Sequence, residues 1–147
     1  MGFSFVGLTA SLLVLLPNLV AVVAPPRDGF AEVALPRPLV WGERAAQAAC
    51  LTVPALTAGA TDLRWAPAYL TALRLYCALW IRYLVRGRRL RTLYDTVFGV
   101  PVPMAVAPVV AFASIAGLVG SLPALVAAVA LAATHLPVAW LTGRGAR

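Results

Sequence analysis

The stretch YLVRGRRLRTLYDTVFGVPVPM, Tyr83 to Met104, breaks an otherwise apolar chain. Arg86, Arg88, Arg89 and Arg91 crowd together here, and with Arg82 just before them make five of the twelve basic residues in the protein. Directly behind them comes Phe98-Gly99-Val100-Pro101-Val102-Pro103, in which two prolines remove backbone donors. Such a segment is either an anion-binding site or the place where a membrane chain turns round. What flanks it favours the turn.

The 147 residues amount to about one domain, with 62% hydrophobic side chains and 12% charged. The charged share is about half that of a soluble domain. With a mean hydropathy of +0.89, so few polar groups could not cover the apolar surface in water. Lipid removes that difficulty. The net charge of +7 would suggest nucleic acid in a soluble protein, but the arginines lie between apolar runs and no aromatic interleaving accompanies them. Nucleic acid is therefore not an expected partner. Every basic residue is Arg and none is Lys, which with abundant Ala, Val and Pro points to a GC-rich bacterial genome.

A spanning helix needs about 20 mostly apolar residues. The sequence predicts an all-α, polytopic membrane bundle of one domain, residues 1–147, with spans near 3–24, 39–60, 66–85, 100–120 and 122–141. Residues 86–97 form a basic cytoplasmic loop, and 98–103 an extended or re-entrant turn before the fourth span. Gly120-Ser121-Leu122-Pro123 predicts a tight helical hairpin, with proline in the first turn of the last helix. The first apolar run has no basic n-region and is followed by Pro25-Pro26, so it reads as a permanent helix rather than a cleaved signal.

Short cytoplasmic loops collect Arg and Lys. With the N-terminus outside, Arg27, Arg37, Arg44, Arg82, Arg86, Arg88, Arg89, Arg91, Arg144 and Arg147 fall inside, and Arg64 alone outside. Were the second span to lie on the surface, the count would fall to four, and the basic tail and one basic loop would sit on opposite sides. The charge pattern therefore favours five spans, N-out and C-in, in the bacterial inner membrane. Arg86, Arg88, Arg89 and Arg91 would also attract anionic lipid headgroups.

Ionisable groups at membrane depth are costly and mark candidate sites. Counting about 1.5 Å per residue puts Asn18, Glu43, Gln47, Arg82 and His135 in one layer near the inner surface. Arg74 falls near the middle of the third span. These residues predict either helix-packing hydrogen bonds, including a Glu43–Arg82 or Glu43–Arg44 pair, or a polar cavity. In the second case Glu43 and His135 would handle protons while Arg74 and Arg82 hold an anion. Tyr69, Tyr76 and Tyr83 repeat every seven residues with Trp80 beside them, which keeps one helix face. That face is a packing seam or an aromatic wall for a flat or lipidic ligand.

Cys50 and Cys77, with a single histidine, give no zinc-type spacing. No metal or cofactor is expected. Nor is there a nucleophile elbow, an HExxH motif, a glycine-rich phosphate loop or an internal repeat. Small residues at four-residue spacing, such as Ala113 with Gly117 and Ala124 with Ala128 and Ala132, allow close helix contact within one chain or in a homo-oligomer.

Tyr76, Trp80, Arg82-Tyr83, Arg86-Gly87-Arg88, Leu93-Tyr94, Phe98-Gly99, Pro101, Pro103-Met104 and Pro108 form a W-x-R-Y…R-G-R…F-G-x-P-x-P-M pattern. This segment resembles a family of small multi-spanning bacterial integral membrane proteins whose activity is uncharacterised. The resemblance implies an integral membrane protein and no particular chemistry. Taken together, the sequence favours a non-enzymatic accessory or small-molecule/lipid-binding membrane subunit. The alternatives are a small transporter or channel protomer for an anionic solute, and a membrane-embedded enzyme acting on a lipid.

Overall fold

The computed structural model describes residues 2–30, 33–57 and 59–145. It is all-helical, and among the described residues the only β pairing is an isolated bridge between Val97 and Val100. The order is α1 (Phe5–Leu15), a 3-10 turn (Leu16–Leu19), α2 (Val20–Val23), α3 (Arg37–Thr52), α4 (Ala66–Val85), α5 (Leu90–Tyr94), α6 (Pro103–Leu118) and α7 (Leu122–Gly145). Short 3-10 turns, Pro54–Leu56 and Leu63–Trp65, follow α3 and precede α4.

Hydrogen bonds between loops fix the direction of each helix. At one end the Ser4 amide donates to the Ala55 carbonyl (2.8 Å) and the Asp62 amide to Leu118 (2.8 Å). At the other, the Arg27 amide donates to Arg88 (2.9 Å) and the Leu90 amide to the Asp28 carboxylate (2.8 Å). Five long helical passes, Phe5–Val23, α3, α4, α6 and α7, therefore alternate between two ends. Arg27, Arg86, Arg88, Arg89 and Arg91 share one end, and Asp62 with Arg64 the other.

Two of these helices, Phe5–Val23 and Leu122–Gly145, are long and apolar enough to cross a membrane, with mean hydropathies of 2.2 and 1.9. The expected second and fourth spans are shorter than read from sequence. Pro54 ends the helical hydrogen bonding after Thr52, and α6 starts at Pro103, leaving 16 residues in each of α3 and α6. The last helix runs past the expected Leu141 to Gly145. The basic loop is not wholly irregular, because Leu90, Thr92 and Leu93 bury the short helix α5.

Local chemistry explains the stops. After α4, the Gly87 amide bonds to Leu84 O (3.3 Å) and the Arg88 amide to Tyr83 O (3.0 Å), with Gly87 at φ +83°. That is a Schellman cap, and the left-handed residue it needs is the glycine. Gly120 plays the same part after α6, with Gly120 N bonded to Gly117 O and Ser121 N to Ala116 O. Ser121 then caps α7, its hydroxyl accepting from the Ala124 amide (3.2 Å). The tight hairpin expected at Gly120–Pro123 is thus two caps sharing two residues.

α6 packs against both α4 and α7, α7 against α3, and α1 lies along α3 and α6. Ala111 and Ile115 of α6, both fully buried, sit at the centre. Tyr69, Tyr76 and Tyr83 form a seam between α4 and the first pass, which runs parallel to it. Tyr69 donates to Ala10 O (3.0 Å), Tyr76 to Asn18 Oδ1 and Tyr83 to Ala24 O (2.9 Å).

Candidate functional site

Proline sets the site up. Pro17 has no amide proton to donate to Leu13, and the first pass tightens there into a 3-10 turn that carries Asn18. Pro108 and Pro137 lie inside α6 and α7, which run through them as continuous helices, each proline leaving the carbonyl four residues back without its usual donor. Helices bend or open at such points. Between the passes lies a cavity of about 500 Å³. Its polar wall contains Asn18, Glu43, Gln47, Tyr76, His135 and Thr142. Its apolar wall includes Val14, Trp80, Met104, Phe112, Leu131 and Ala139. Ligand pockets are commonly of this size and kind, apolar with a few placed polar groups.

The centre of the polar wall is a pair between α3 and α7. His135 Nδ1 lies 2.6 Å from Glu43 Oε1, and both side chains are largely withdrawn from solvent, at 24% and 13% exposure. Gln47, one turn on from Glu43, donates to the same carboxylate oxygen at 3.4 Å. The seven-residue ladder adds a third element, since Tyr76 both holds Asn18 and lines the cavity. Trp80 packs edge-on against Tyr76 and Tyr83, and its indole N–H is buried with no acceptor. Tyr94 of α5 closes the basic end of the cavity; burial, then the nearby Glu43 carboxylate, pushes its phenol above the usual tyrosine range.

Leu15, Asn18 and Gln47 line the cavity and are also exposed. The mouth therefore lies on the side of the bundle, between the first pass and α3.

Of the polar layer read from sequence, the structure brings Asn18, Glu43, Gln47 and His135 together around one cavity. Arg82 is not among them. Its guanidinium turns to α5, donating to Thr92 O (3.0 Å) and to the Asp95 carboxylate (3.2 Å). The Glu43 partner is thus His135 rather than Arg82 or Arg44. Arg44 lies over the Trp41 ring, 5.5 Å from its centroid. Arg74 also stands apart, on the exposed outer face of α4, where the seven-residue seam on the opposite face puts it.

Sequence reasoning missed Asp95, Tyr94, Phe112 and Thr142. The first two lie in a loop whose fold back onto the bundle leaves no periodic signal. Phe112 and Thr142 are ordinary residues of apolar helices. The prolines at 17, 108 and 137 were the available hint, since they mark the helices that border the cavity.

At the basic end, Arg27, Asp28, Arg86, Gly87, Arg89 and Arg91 line an open depression of about 550 Å³. Of the four arginines read as a headgroup site, Arg86, Arg89 and Arg91 face it. Arg88 contributes its carbonyl to the Arg27 amide instead. Among the described residues no cluster of three or more potential metal ligands occurs, and Cys50 and Cys77 are free thiols.

No protein-family model matches the chain, and no curated protein and no solved structure matches it either.

Proposed function

We propose that the protein is a five-pass inner-membrane binding subunit that takes an amphipathic small molecule into the side-opening cavity between the first pass and α3. It acts without catalysis. The observation that carries this reading is the combination of an apolar chamber, a half-buried Glu43–His135 pair and a lateral mouth. A water-soluble ligand needs a mouth at the end of a bundle, whereas a molecule dissolved in the bilayer arrives from the side.

The outer surface supports the membrane setting. Val22, Val23, Leu75, Ile81, Val126 and Val129 are each at least 56% exposed, a girdle that water would not tolerate. Only 22% and 28% of the two longest apolar segments is buried inside the bundle. Trp41 and Trp140 stand at the basic end beside Arg44 and Arg144, as interfacial anchors do. The arginines gathered at one end agree with this setting; they make that end cytoplasmic and its shallow depression a contact for anionic headgroups.

Native mass spectrometry of the gently extracted protein tests the proposal. Ala139 is buried in the cavity wall one turn beyond His135, so Ala139→Phe fills the chamber while leaving Glu43 and His135 in the sequence. A co-purified amphiphile present in the native chain and lost in Ala139→Phe is the expected result. An amphiphile retained by the filled variant would place binding elsewhere.

The anionic-solute reading fares less well, because no arginine lines the cavity. The lipid-enzyme reading has an acid and a base in Glu43 and His135, but no observation favours it over binding.

A further inference from the structure

We infer that the cavity recognises an organic cation, whose charged headgroup takes the place of a proton at the Glu43–His135 pair. This rests on the cavity being a ligand site, and adds the charge of the ligand and the means of its exchange.

The argument begins with a charge inventory. Twelve arginines make the chain strongly basic, yet none lines the cavity. Arg82 is held by Asp95, Arg44 lies over Trp41 and Arg74 faces outward. The formal negative charge in the chamber is the Glu43 carboxylate, and His135 alone offsets it. An anion entering this space would meet the carboxylate with no cation beyond His135 to attract it. A cation would meet the carboxylate and the aromatic rings of Tyr76, Trp80, Tyr94 and Phe112, which line the same chamber. Aromatic faces attract cations, and a desolvated site strengthens the attraction.

The exchange follows from the pair itself. With His135 protonated, imidazolium and carboxylate are 2.6 Å apart and jointly neutral. An arriving cation replaces the imidazolium as the carboxylate's partner. The proton leaves His135 for water, and the net charge of the cavity is unchanged. The groups that share this space are Asn18 from the first pass, Gln47 from α3, Tyr76 from α4, Tyr94 from α5 and Thr142 from α7, with none titratable from α6. The two tyrosines are neutral at physiological pH, so the proton to be displaced is the one on the pair.

Isothermal titration of the full chain in micelles tests this with three bulky phenyl-bearing probes of different charge: tetraphenylphosphonium, triphenylphosphine oxide and tetraphenylborate. Repeating the titration in two buffers of different ionisation heat counts protons. The expected result is that tetraphenylphosphonium binds and tetraphenylborate does not, with about one proton released per cation at mildly acidic pH. Cation affinity rises with pH over the range in which protons are released. Glu43→Gln weakens cation binding by about tenfold or more. Should that variant fail to fold, Glu43→Asp keeps the charge and retains the proton release.

Equal binding of the cation and the neutral oxide, independent of pH and of Glu43, would overturn the cation inference and leave the binding cavity standing. Binding of tetraphenylborate in preference would do the same. If no probe binds the native chain, or if binding survives Ala139→Phe, the cavity reading itself falls.

Discussion

Tyr83 donates through its phenolic oxygen to the Ala24 carbonyl at 2.9 Å, and Ala24 is the last residue before Pro25-Pro26. The carbonyls of a final helical turn have no intrahelical donor, and the prolines that follow supply none. Tyr83 is fully buried and meets one of these orphans from a helix 59 residues further along the chain. Tyr83→Phe keeps the ring packing and strands the carbonyl. It should cost about 1–3 kcal/mol, the penalty for an unsatisfied buried acceptor. Unfolding of the variant in mixed micelles measures it, and a cost near zero would mean that water replaces the phenol.

Much of this was legible from the sequence, for reasons that differ by residue. The seam was visible because Tyr69, Tyr76 and Tyr83 repeat every seven residues and a heptad keeps one face. The hydrogen bonds from that seam to the first pass were not, because contacts across 59 residues leave no local pattern. Glu43, Gln47, Asn18 and His135 were found by depth alone, since polar groups are rare in apolar helices. Depth does not give direction around a helix axis, so Arg74 and Arg82 were grouped with them. Arg82 points away because α5 folds back and brings Thr92 and Asp95 to its guanidinium. The shortening of the second span was written in Pro54, which cannot donate to the carbonyl four residues back.

Gly7 lies directly against the backbone of the turn at Pro54. A β-carbon there would run into the Pro54 carbonyl, which is backbone and cannot rotate away. Gly7→Ala should therefore destabilise by about 1–3 kcal/mol or more, the range for overpacking. Gly42→Ala makes a useful contrast. Its β-carbon would sit 3.3 Å from the Thr134 methyl, a side-chain atom, and alanine gains about 0.5–1 kcal/mol of helix propensity. That variant should stay within about 1 kcal/mol of the native chain. Similar losses for both glycines would count against the close approach of α1 to Pro54.

Asp62 caps the 3-10 turn before α4 and pairs with Arg64, whose side-chain hydrogen bond holds the carboxyl below its usual value. A carboxyl depressed on folding contributes stability above its unfolded pKa, about 3.9, and loses it as pH falls through the lower folded value. The pair is exposed, so the effect is small. Thermal midpoints measured from about pH 5 down to pH 2 should fall more in the native chain than in Asp62→Asn, with the two curves converging at the acid end. Parallel curves throughout would show that the pair contributes nothing.

The alternation of the five passes predicts that Gly120 and the C-terminus face opposite compartments. Reporter fusions that are active on only one side of the membrane should give opposite signals at Gly120 and after Arg147. The signal after Arg147 should be cytoplasmic, on the side where Arg86, Arg89 and Arg91 lie. Matching signals at the two sites would leave the last helix unable to span.

Arg74 separates two accounts of the same residue. It stands on the exposed face of α4, and the described carboxylates are committed elsewhere: Asp28 to the Leu90 amide, Glu43 to His135, Asp62 to Arg64 and Asp95 to Arg82. An arginine facing lipid near the middle of a span costs about 2.5–3.5 kcal/mol on insertion scales, eased by snorkelling toward the interface. Arg74→Leu removes that cost, so it should insert and fold at least as well as the native chain. It should also leave occupancy of the cavity unchanged, since Arg74 does not line it. Unfolding in bicelles and native mass spectrometry read the two quantities independently. Loss of the cavity ligand in Arg74→Leu would mean that the guanidinium reaches the site after all, and would restore the anionic reading.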